Sequence, residues 1–564
     1  ASLLKTTGVL IVAAFIGIGV NASTLLTTYE YSKYTMRGES NGLTIDKQSS
    51  QHGLSSDYIT NWSYGIDETM TLLIPNYKGG ASGGVLGADS HTAKKLQELG
   101  VPNVEETIKE FRLPLYWGTQ PFTSGPVYVG AIVCFLFVLG LFLVEDRYKW
   151  WLLGVTIFSI LLSWGKNFMP LTDFFINYVP MYNKFRTVSM TLVMAGVSMP
   201  LMGMLALKNI FNNSVEKEKI MKAIKYSTGI VGGICLLFWI IPSLAGNFIS
   251  PSDAQFTGQY EFLKNTLPLD RKAMLSSDAL RSLLFVLATA VVLYFVVKDK
   301  LKTTYAIIAL VLLFTLDLYP IAKRYLNNSN FEEKDLALNP YPASTADKLI
   351  LQDKSLDYRV LNLTVDPFNN ASPSYYHKNI GGYHAAKLRR YQELINFHLG
   401  TQINDLISTL RQIQTEKDLF DRLQKSSILN MLNMKYVIIN PDVAPIMNPF
   451  ANGNVWLVQK VHIAKDANEE MTVLGKIDTK KELVANESYA NDIIKLVPDS
   501  TARIQLISYK PMDLKYHFSS KTNQVAVFSE IYYDKGWNAY INGNKVPYFR
   551  ADYVLRAMSL KAGD

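Results

Sequence analysis

Acidic and aromatic side chains stand close together in one short stretch of the chain, just before the glycine-rich segment KGGASGG. Sugars bind by stacking their C–H faces on aromatic rings, and their hydroxyl groups need hydrogen-bond acceptors. The stretch therefore indicates a carbohydrate site whose acids are candidate catalytic or sugar-binding groups. A folded loop with an aromatic core and solvated acids has the same composition. The candidate residues are Asp57, Trp62, Tyr64, Asp67 and Glu68.

Two cations, Lys184 and Arg186, directly precede an apolar run that is long enough to cross a bilayer. The planar guanidinium of arginine matches the geometry of an oxyanion, while lysine acts as a point charge. Both residues are therefore substrate-binding candidates for an anionic group. Snorkelling to the interface, or pairing with Asp173, explains the same charges without a ligand.

A further acidic candidate, Asp317, lies near the end of the last apolar run, in the sequence TLDLYP. A carboxylate inside a membrane span is a functional candidate by default, because its burial is costly. Asp317 could contact an acceptor or orient Arg186. It could also simply reach the interface one turn away, which would be a structural role.

The segment IGGYHAAKLRRYQELI contributes the last substrate-binding candidates, His384 and Arg389. The spacing of its apolar residues predicts a helix from Ala385. Glycines precede this helix, so backbone N–H groups and several cations would gather near its first turns, as in an anion site. The cations could equally form a solvated helix face. The histidines of this segment lack an obvious third ligand, so no metal site is predicted.

These residues are positioned by a chain of 564 residues, of which 48% are hydrophobic, with a mean hydropathy of +0.08. The apolar residues concentrate in long uncharged runs, and a helix needs about 20 such residues to cross the hydrocarbon. We therefore predict about seven spans in a polytopic α-helical membrane domain. The runs cover residues 6–28, 126–144, 150–165, 187–207, 227–246, 282–297 and 303–321.

Lys and Arg are more frequent in alternate short loops, most clearly in the lysine cluster that follows residue 207. Such an excess marks the cytoplasmic side of a membrane protein. The amino terminus is therefore predicted to be cytoplasmic, which puts Lys184 and Arg186 on the outer side. The large segments 30–125 and 322–564 would lie on the outer side as well.

Five segments follow from this topology. A loop as long as residues 30–125 is more often functional or independently folded than a mere connector. Residues 490–564 alternate apolar and polar side chains and contain the hairpin signal Asn542–Gly543. The segments are a first span at 1–29, an extracytoplasmic loop domain at 30–125, a six-span bundle at 126–321, an extracytoplasmic α/β domain at 322–489 and a β-sandwich-like domain at 490–564.

Composition and motifs argue against several other function classes. Part of the net charge of +8 comes from the predicted inner loops, so nucleic acid is not a predicted partner. Cys134 and Cys235 fall inside apolar runs and cannot form a disulfide framework. The sequence has no zinc-ligand spacing, P-loop or dinucleotide fingerprint. We therefore predict no cofactor, and the sequence gives no support for a divalent cation.

Several blocks of the sequence together resemble the YfhO family of bacterial membrane proteins, most closely its large members in Bacteroidetes. The likeness covers nearly the whole chain, and the blocks come in the order of the family. They are WSYGIDETMTLLIPNYKGG, YWGTQPFTSGPVYVGA, LLSWGKNFMPLTDFFINYVPMYNKFRTVSM, LDLYPIAKRYLN, IGGYHAAKLRRYQELI and YYDKGWNAYINGNKVPYFRADYVLRAMSLKAGD.

The resemblance implies a GT-C-type glycosyltransferase of the bacterial cytoplasmic (inner) membrane, with its large domains on the periplasmic or outer side. Such a protein takes a sugar from a polyprenyl-phosphate carrier and passes it to an acceptor in the cell envelope. A lipid phosphate is a sufficient leaving group, so no nucleotide site is expected. Partners would be membrane lipid, the lipid-linked sugar and an envelope glycan.

The sequence departs from the family at both ends. It starts with Ala rather than Met and stops after a turn, so we expect it to be a piece of a longer protein. GT-C enzymes generally carry their catalytic carboxylate in the first outer loop, which has no counterpart here. The base is therefore expected outside these residues. The alternative is a non-catalytic membrane protein that binds or translocates a lipid-linked glycan or scaffolds envelope assembly.

Overall fold

The computed structural model describes residues 2–44, 53–412 and 415–564. The chain forms two compact units. We call Ser56–Glu333 the helical unit, and Ala1–Ser55 together with Lys334–Asp564 the mixed unit. The predicted loop domain 30–125 is divided between them, because residues before 55 join the mixed unit. Thr35 bridges to Leu388, and Leu43 lies in the core of that unit.

The helical unit is built around apolar helices. Among the described residues, four helices of the chain are long and apolar enough to span a membrane: Val188–Phe211, Lys217–Ile240, Gly258–Val297 and Thr303–Tyr325. Two bent pairs would raise the number to six if each pair counts as one span. The protein is therefore membrane-associated, with four to six candidate spans, and the predicted count of seven is not confirmed.

One bent pair belongs to each unit. In the helical unit, Arg147–Ser163 and Gly165–Tyr178 meet at 110°. Gly165 makes this turn with φ +45°, and a Cβ there would lie 2.2 Å from the Ser63 hydroxyl. In the mixed unit, Leu4–Val20 and Ala22–Ser32 meet at 72°, so the predicted first span is bent at its only asparagine, Asn21.

The predicted span at 126–144 forms a helix of only 13 residues, Ala131–Leu143. At 1.5 Å per residue it is about 20 Å long, which is shorter than the hydrocarbon layer of about 30 Å. Its side chains are almost all buried against the neighbouring helices. This helix is therefore an internal core element of the bundle.

The 35-residue helix Leu263–Val297 organises the rest of the helical unit. Its length of about 52 Å exceeds the hydrocarbon layer, so one end projects beyond a membrane. Near that end, Asp270 accepts hydrogen bonds from the backbone N–H groups of His91 and Thr92. These are the first residues of the helix His91–Glu98. The segment between residues 56 and 125 is thus attached to the projecting end.

The helices of the helical unit have the following bounds: Ser56–Ile59, His91–Glu98, Val104–Glu110, Ala131–Leu143, Asp146–Ser163, Met169–Tyr178, Val193–Phe211, Lys217–Ser227, Gly233–Ile240, Leu263–Val297 and Thr303–Tyr325. The segment Thr228–Gly232 between two of them is a π-helix, so Lys217–Ile240 is continuous. Short 3-10 turns, among them Asp67–Leu72, Tyr182–Lys184 and Val188–Leu192, connect the helices.

The mixed unit contains the bent pair Ser2–Val20 and Ala22–Ser32, with further helices at Lys334–Leu338, Thr345–Ile350, Arg389–Leu394, Gly400–Gln412, Glu416–Lys425, Ser427–Met431 and Ala467–Leu474. A six-stranded sheet has the order Val455–Leu457, Gln524–Ile531, Leu555–Leu560, Phe549–Ala551, Glu482–Asn486 and Lys460–Ala464. Only its last pair is parallel.

Smaller sheets complete the mixed unit. Arg359–Asn362, Met434–Ile438 and Ile446–Met447 form a three-stranded sheet. Two hairpins follow, Arg503–Lys510 with Asp513–Ser519 and Ala539–Ile541 with Asn544–Val546. The second turns at Asn542–Gly543, as predicted from the sequence. The six-stranded sheet takes strands from both sides of residue 490, so the predicted α/β and β-sandwich-like segments share one core.

Candidate functional site

A cavity of about 270 Å³ lies in the helical unit. Its walls combine aromatic rings with the carboxylate of Glu68 and the amide of Gln120. Ser189 belongs to the first turn of the candidate span Val188–Phe211, so the cavity lies beside the end of a membrane helix. The remaining lining residues are Trp62, Tyr64, Thr71, Pro75, Lys78, Gly80, Tyr116, Phe122, Thr123, Ser124, Gly125, Pro126, Val127 and Thr187.

Glu68 is the buried acid of this cavity, with 3% of its surface exposed. Its carboxylate accepts hydrogen bonds from the Tyr116 hydroxyl and the Gln120 amide, both at 2.9 Å, and from the Gly65 N–H at 3.0 Å. Burial raises the pKa of Glu68 above its ordinary value, while these hydrogen bonds oppose the rise. The acid is therefore held in a fixed orientation in the cavity wall.

Two hydroxyl groups are buried in the cavity wall, those of Tyr64 and Thr71. They interact with each other, and Tyr64 also interacts with the Val127 backbone, although neither hydroxyl completes a hydrogen bond of normal geometry. The cavity therefore combines stacking surfaces with one acid, one amide and two hydroxyl groups, as a sugar requires.

The glycine-rich segment contributes Lys78 and Gly80 to the cavity wall. Gly79 and Gly80 have φ angles of +84° and +83°, a region that side-chain-bearing residues rarely adopt. A Cβ on Gly79 would lie 2.0 Å from the Leu115 carbonyl oxygen. The preceding Lys78 ammonium lies 2.7 Å from an Asp67 carboxylate oxygen and 3.6 Å from the centre of the Trp117 ring. The cation is thus fixed at the cavity wall.

Arg186, which the sequence analysis proposed as a substrate-binding cation, lies next to Trp62 of the cavity wall. Its guanidinium donates to the Tyr58 hydroxyl at 2.8 Å. Its Cζ atom lies 5.2 Å from the centre of the Trp62 ring, which is within the range of a cation–π contact. Trp62 is itself held by a hydrogen bond from its Nε1 to the Phe122 carbonyl at 3.1 Å.

The chain around Arg186 is fixed by backbone contacts. The Thr187 N–H donates to the Ile59 carbonyl, and the Ser189 N–H donates to the Trp62 carbonyl, both at 3.2 Å. Lys184 lies in the short turn Tyr182–Lys184 and is half-buried. Neither Lys184 nor Arg186 lines the cavity itself, and Arg186 contacts Trp62 of the cavity wall.

The other two acids of the short stretch lie outside the cavity. Asp57 is exposed in the single helical turn Ser56–Ile59. Asp67 has 52% of its side chain exposed and pairs with Lys78. Of the three predicted carboxylates in this stretch, Glu68 alone therefore lines the cavity, together with Trp62 and Tyr64.

Asp317 has a different set of contacts from those the sequence suggested. It accepts a hydrogen bond from the Tyr128 hydroxyl at 2.5 Å and one from the Ile132 N–H at 3.3 Å. It also pairs with Arg281 at 3.1 Å, not with Arg186. Since Ile132 is in the first turn of the helix Ala131–Leu143, the carboxylate caps a helix amino terminus.

His384 and Arg389 belong to the mixed unit and have other surroundings. The helix predicted from Ala385 begins at Arg389. Arg389 is 7% exposed, and its Nη2 donates to the carbonyls of Met36, Gly38 and Gly53 at 2.9, 3.1 and 3.0 Å. Arg389 is therefore buried and does not belong to a solvated helix face. His384 is exposed, and its Nδ1 accepts from the Ala386 N–H.

Tyr116 and Gln120 belong to the cavity but were not among the predicted site residues. They lie in the block YWGTQPF, where an aromatic residue and an amide recur as they do near Trp62. This recurrence is the sequence signal that could have identified Tyr116 and Gln120 as site residues. No group of three or more His, Cys, Asp or Glu side chains that could hold a metal ion occurs within the part of the chain that the structure describes.

Comparison with protein-family models, with curated proteins and with solved structures found no match to this chain.

Proposed function

We propose that this protein is a membrane glycosyltransferase that moves a sugar from a polyprenyl-phosphate carrier to a cell-envelope acceptor, on the outer face of a bacterial cytoplasmic membrane. The observation that carries the proposal is the position of Arg186. Its guanidinium stacks against Trp62, which lines the cavity that also holds Glu68. A cation therefore contacts an aromatic residue of a cavity that also holds a buried acid, beside the end of a candidate membrane helix.

The proposed chemistry assigns one role to each group. The sugar stacks on Trp62 and gives hydrogen bonds to Glu68, whose carboxylate is held by Tyr116, Gln120 and the Gly65 N–H. Negative charge grows on the carrier phosphate as the glycosidic bond breaks, and a positioned cation stabilises it. Arg186 supplies that charge. Glu68 is assigned to sugar binding, and the base that activates the acceptor is expected elsewhere.

The test uses the intact protein in vesicles with a polyprenyl-phosphate-linked hexose that is labelled in the sugar. Arg186→Ala and Trp62→Ala are expected to lower label transfer by at least tenfold at unchanged protein abundance. Trp151→Ala is the matched control, because Trp151 is 69% exposed on a candidate membrane helix and lies outside the cavity. Normal transfer by Arg186→Ala in well-folded protein would exclude the proposed phosphate role.

A second candidate function is a non-catalytic protein that binds or translocates a lipid-linked glycan. Glu68 favours it, because this acid already accepts three hydrogen bonds and is oriented for binding rather than for proton transfer. The same vesicles separate the two functions. Binding of the labelled carrier that depends on Trp62 and Glu68, without transfer to any envelope glycan, would favour the non-catalytic function.

A further inference from the structure

The helix Ser2–Val20 of the mixed unit exposes every side chain from Leu4 to Val20. Lys5 is its only charged residue. At 1.5 Å per residue its 19 residues extend about 28 Å, which is close to the hydrocarbon thickness of about 30 Å. A helix that is apolar on all sides and exposed along its length is suited to lipid. Ser2–Val20 therefore has the length and the surface of a membrane span.

The next helix, Ala22–Ser32, leaves the first one at an angle of 72°. Only Asn21 separates the two helices, so the second one begins at the depth where the first one ends. When Ser2–Val20 stands along the membrane normal, this bend leaves Ala22–Ser32 about 18° from the membrane plane. A helix with this direction and this starting depth runs along the interface between lipid and water.

One face of Ala22–Ser32 is apolar and exposed. At about 100° per residue, Leu25, Leu26 and Tyr29 fall within an arc of about 100°. Leu26 and Tyr29 are 67% and 64% exposed. Lys33 follows at the end of the same face, with its ammonium 4.8 Å from the centre of the Tyr29 ring. An apolar face with an aromatic residue and a lysine at its end is typical of a helix in a membrane interface.

The opposite side of this helix is attached to the folded part of the mixed unit. Tyr31 lies on that side, where its hydroxyl donates to the Ala386 carbonyl at 3.2 Å and its ring meets the Tyr533 ring edge-on. Just after the helix, the Tyr34 ring lies 5.0 Å from the Tyr533 ring, and its hydroxyl donates to Asp534 at 3.3 Å. Because the folded part holds this side, the apolar face points away from it.

We propose that Ala22–Ser32 is an interfacial membrane helix. Ser2–Val20 spans the bilayer, and the apolar face of Ala22–Ser32 lies among the lipid headgroups and the first acyl carbons. Lipid is the occupant of this face because the helix continues directly from a span that is exposed to lipid along its length. The predicted first span at 1–29 thus divides into a spanning part and an interfacial part. Through Tyr31 and Tyr34, the interfacial helix holds the folded part of the mixed unit at the membrane surface.

The experiment places single nitroxide labels on the full chain in bilayer vesicles of phosphatidylethanolamine and phosphatidylglycerol. Collisions of each label are measured with O2, which concentrates in lipid, and with nickel–EDDA, which stays in water. Labels on the apolar face are attached through Leu25→Cys, Leu26→Cys and Tyr29→Cys. Thr27→Cys is the matched control, because Thr27 is exposed on the other side of the same helix. Phe15→Cys reports the spanning helix, since Phe15 is 71% exposed there.

The native cysteines stay in place in all of these proteins. Cys134 and Cys235 are buried, so wild-type protein treated with the label gives the background signal. The melting temperature of each variant verifies its folding. All labelled positions are exposed, so the substitutions remove no core packing.

The ratio of O2 to nickel–EDDA collisions is expected to be at least about threefold higher at Leu26 and Tyr29 than at Thr27, and highest at Phe15. The labels at Leu25 and Tyr29 should lie within about 2 Å of each other in depth, whereas a helix that continued across the bilayer would separate them by about 6 Å. That larger separation would overturn the proposal, as would equal ratios on the two sides of the helix. Protection of the apolar-face labels from both reagents would identify a protein partner, and the proposal would be wrong. A water-exposed label at Phe15 would exclude the span itself.

Discussion

Arg271 and Asp253 form a bidentate ion pair inside the helical unit. The two nitrogen–oxygen distances are 2.6 and 2.8 Å, and the side chains are 0% and 6% exposed. Arg271 also donates to the carbonyls of Phe248 at 2.7 Å and of Leu115 at 3.1 Å. One guanidinium therefore joins the long helix to two chain segments that are far apart in sequence.

Removing one partner of this pair is expected to destabilise the protein strongly. Asp253→Ala leaves the Arg271 guanidinium buried without its counter-charge, which typically costs about 3–5 kcal/mol. The loss should appear as a lower unfolding midpoint of the detergent-solubilised protein. Lys109→Ala is the control, because Lys109 and Glu105 form an exposed pair, and its midpoint should stay unchanged. Equal midpoints for the two variants would contradict this prediction.

The backbone turn at Gly79, next to the cavity-lining Gly80, should not tolerate a side chain. In Gly79→Ala, the Cβ would lie 2.0 Å from the Leu115 carbonyl oxygen, and φ of +84° is strained for alanine. We expect a loss of at least about 1–3 kcal/mol, measured as the unfolding midpoint in denaturant. Gly83→Ala is the control in the same loop, because its nearest atom is 3.8 Å away. Full stability of Gly79→Ala would show that this backbone geometry is wrong.

Apolar runs predict candidate spans because hydrophobicity and length are local properties of a sequence, but the predicted count of seven is not confirmed. The runs near 187–207, 282–297 and 303–321 coincide with candidate spans. The run 126–144 was predicted to be a span, but the short length of the helix Ala131–Leu143 could not be predicted in this way. Its start depends on Tyr128 and on Asp317, which is 185 residues from the N–H that it caps. A local sequence pattern cannot predict contacts between residues that are so far apart in the chain.

In the candidate site, too, some residues follow from a local sequence pattern and others are brought together only by the fold. Trp62, Tyr64 and Glu68 could be predicted from one stretch because their spacing is short. Tyr116 and Gln120 reach Glu68 from 48 and 52 residues away, through folding of the intervening segment. The burial of Glu68, and its separation from Asp57 and Asp67, likewise depend on that fold.

The stability of the mixed unit should depend on the ionisation of Asp552. Burial raises the pKa of this carboxyl from 3.8 to about 8, and the charge of Glu470 acts in the same direction. The folded state therefore keeps a proton that the unfolded state loses near pH 4. The stabilising effect is complete below that pH and is lost as the pH rises towards 8.

The measurement is the unfolding midpoint of the full chain in denaturant between pH 4.5 and 8. The midpoint of the wild type is expected to fall across this range, and Asp552→Asn should weaken the fall. Asparagine fits the site, because Asp552 has φ of +48° and its Oδ1 accepts from the Val484 N–H, which an amide oxygen can replace. The same slope in both proteins would refute the raised pKa. Residual slope is expected, because burial also raises the pKa of Glu393.

Substitution of Arg389 can distinguish a structural role of this residue from an anion-binding role. One nitrogen of its guanidinium holds the carbonyl groups of Met36, Gly38 and Gly53, so Arg389→Ala should loosen these residues from the rest of the mixed unit. We expect a loss of about 2–4 kcal/mol, because hydrogen bonds from a charged donor contribute about 1.5–3 kcal/mol each and the substitution leaves carbonyls without partners.

His384→Ala is the control, since His384 is exposed. Unfolding midpoints and binding of inorganic phosphate are measured for both variants. An anion site would show the reverse result, with phosphate binding lost in both variants and the stability of Arg389→Ala retained. Because every contact of the Nη2 atom is a backbone carbonyl within the same unit, we expect the loss of stability and no change in phosphate binding.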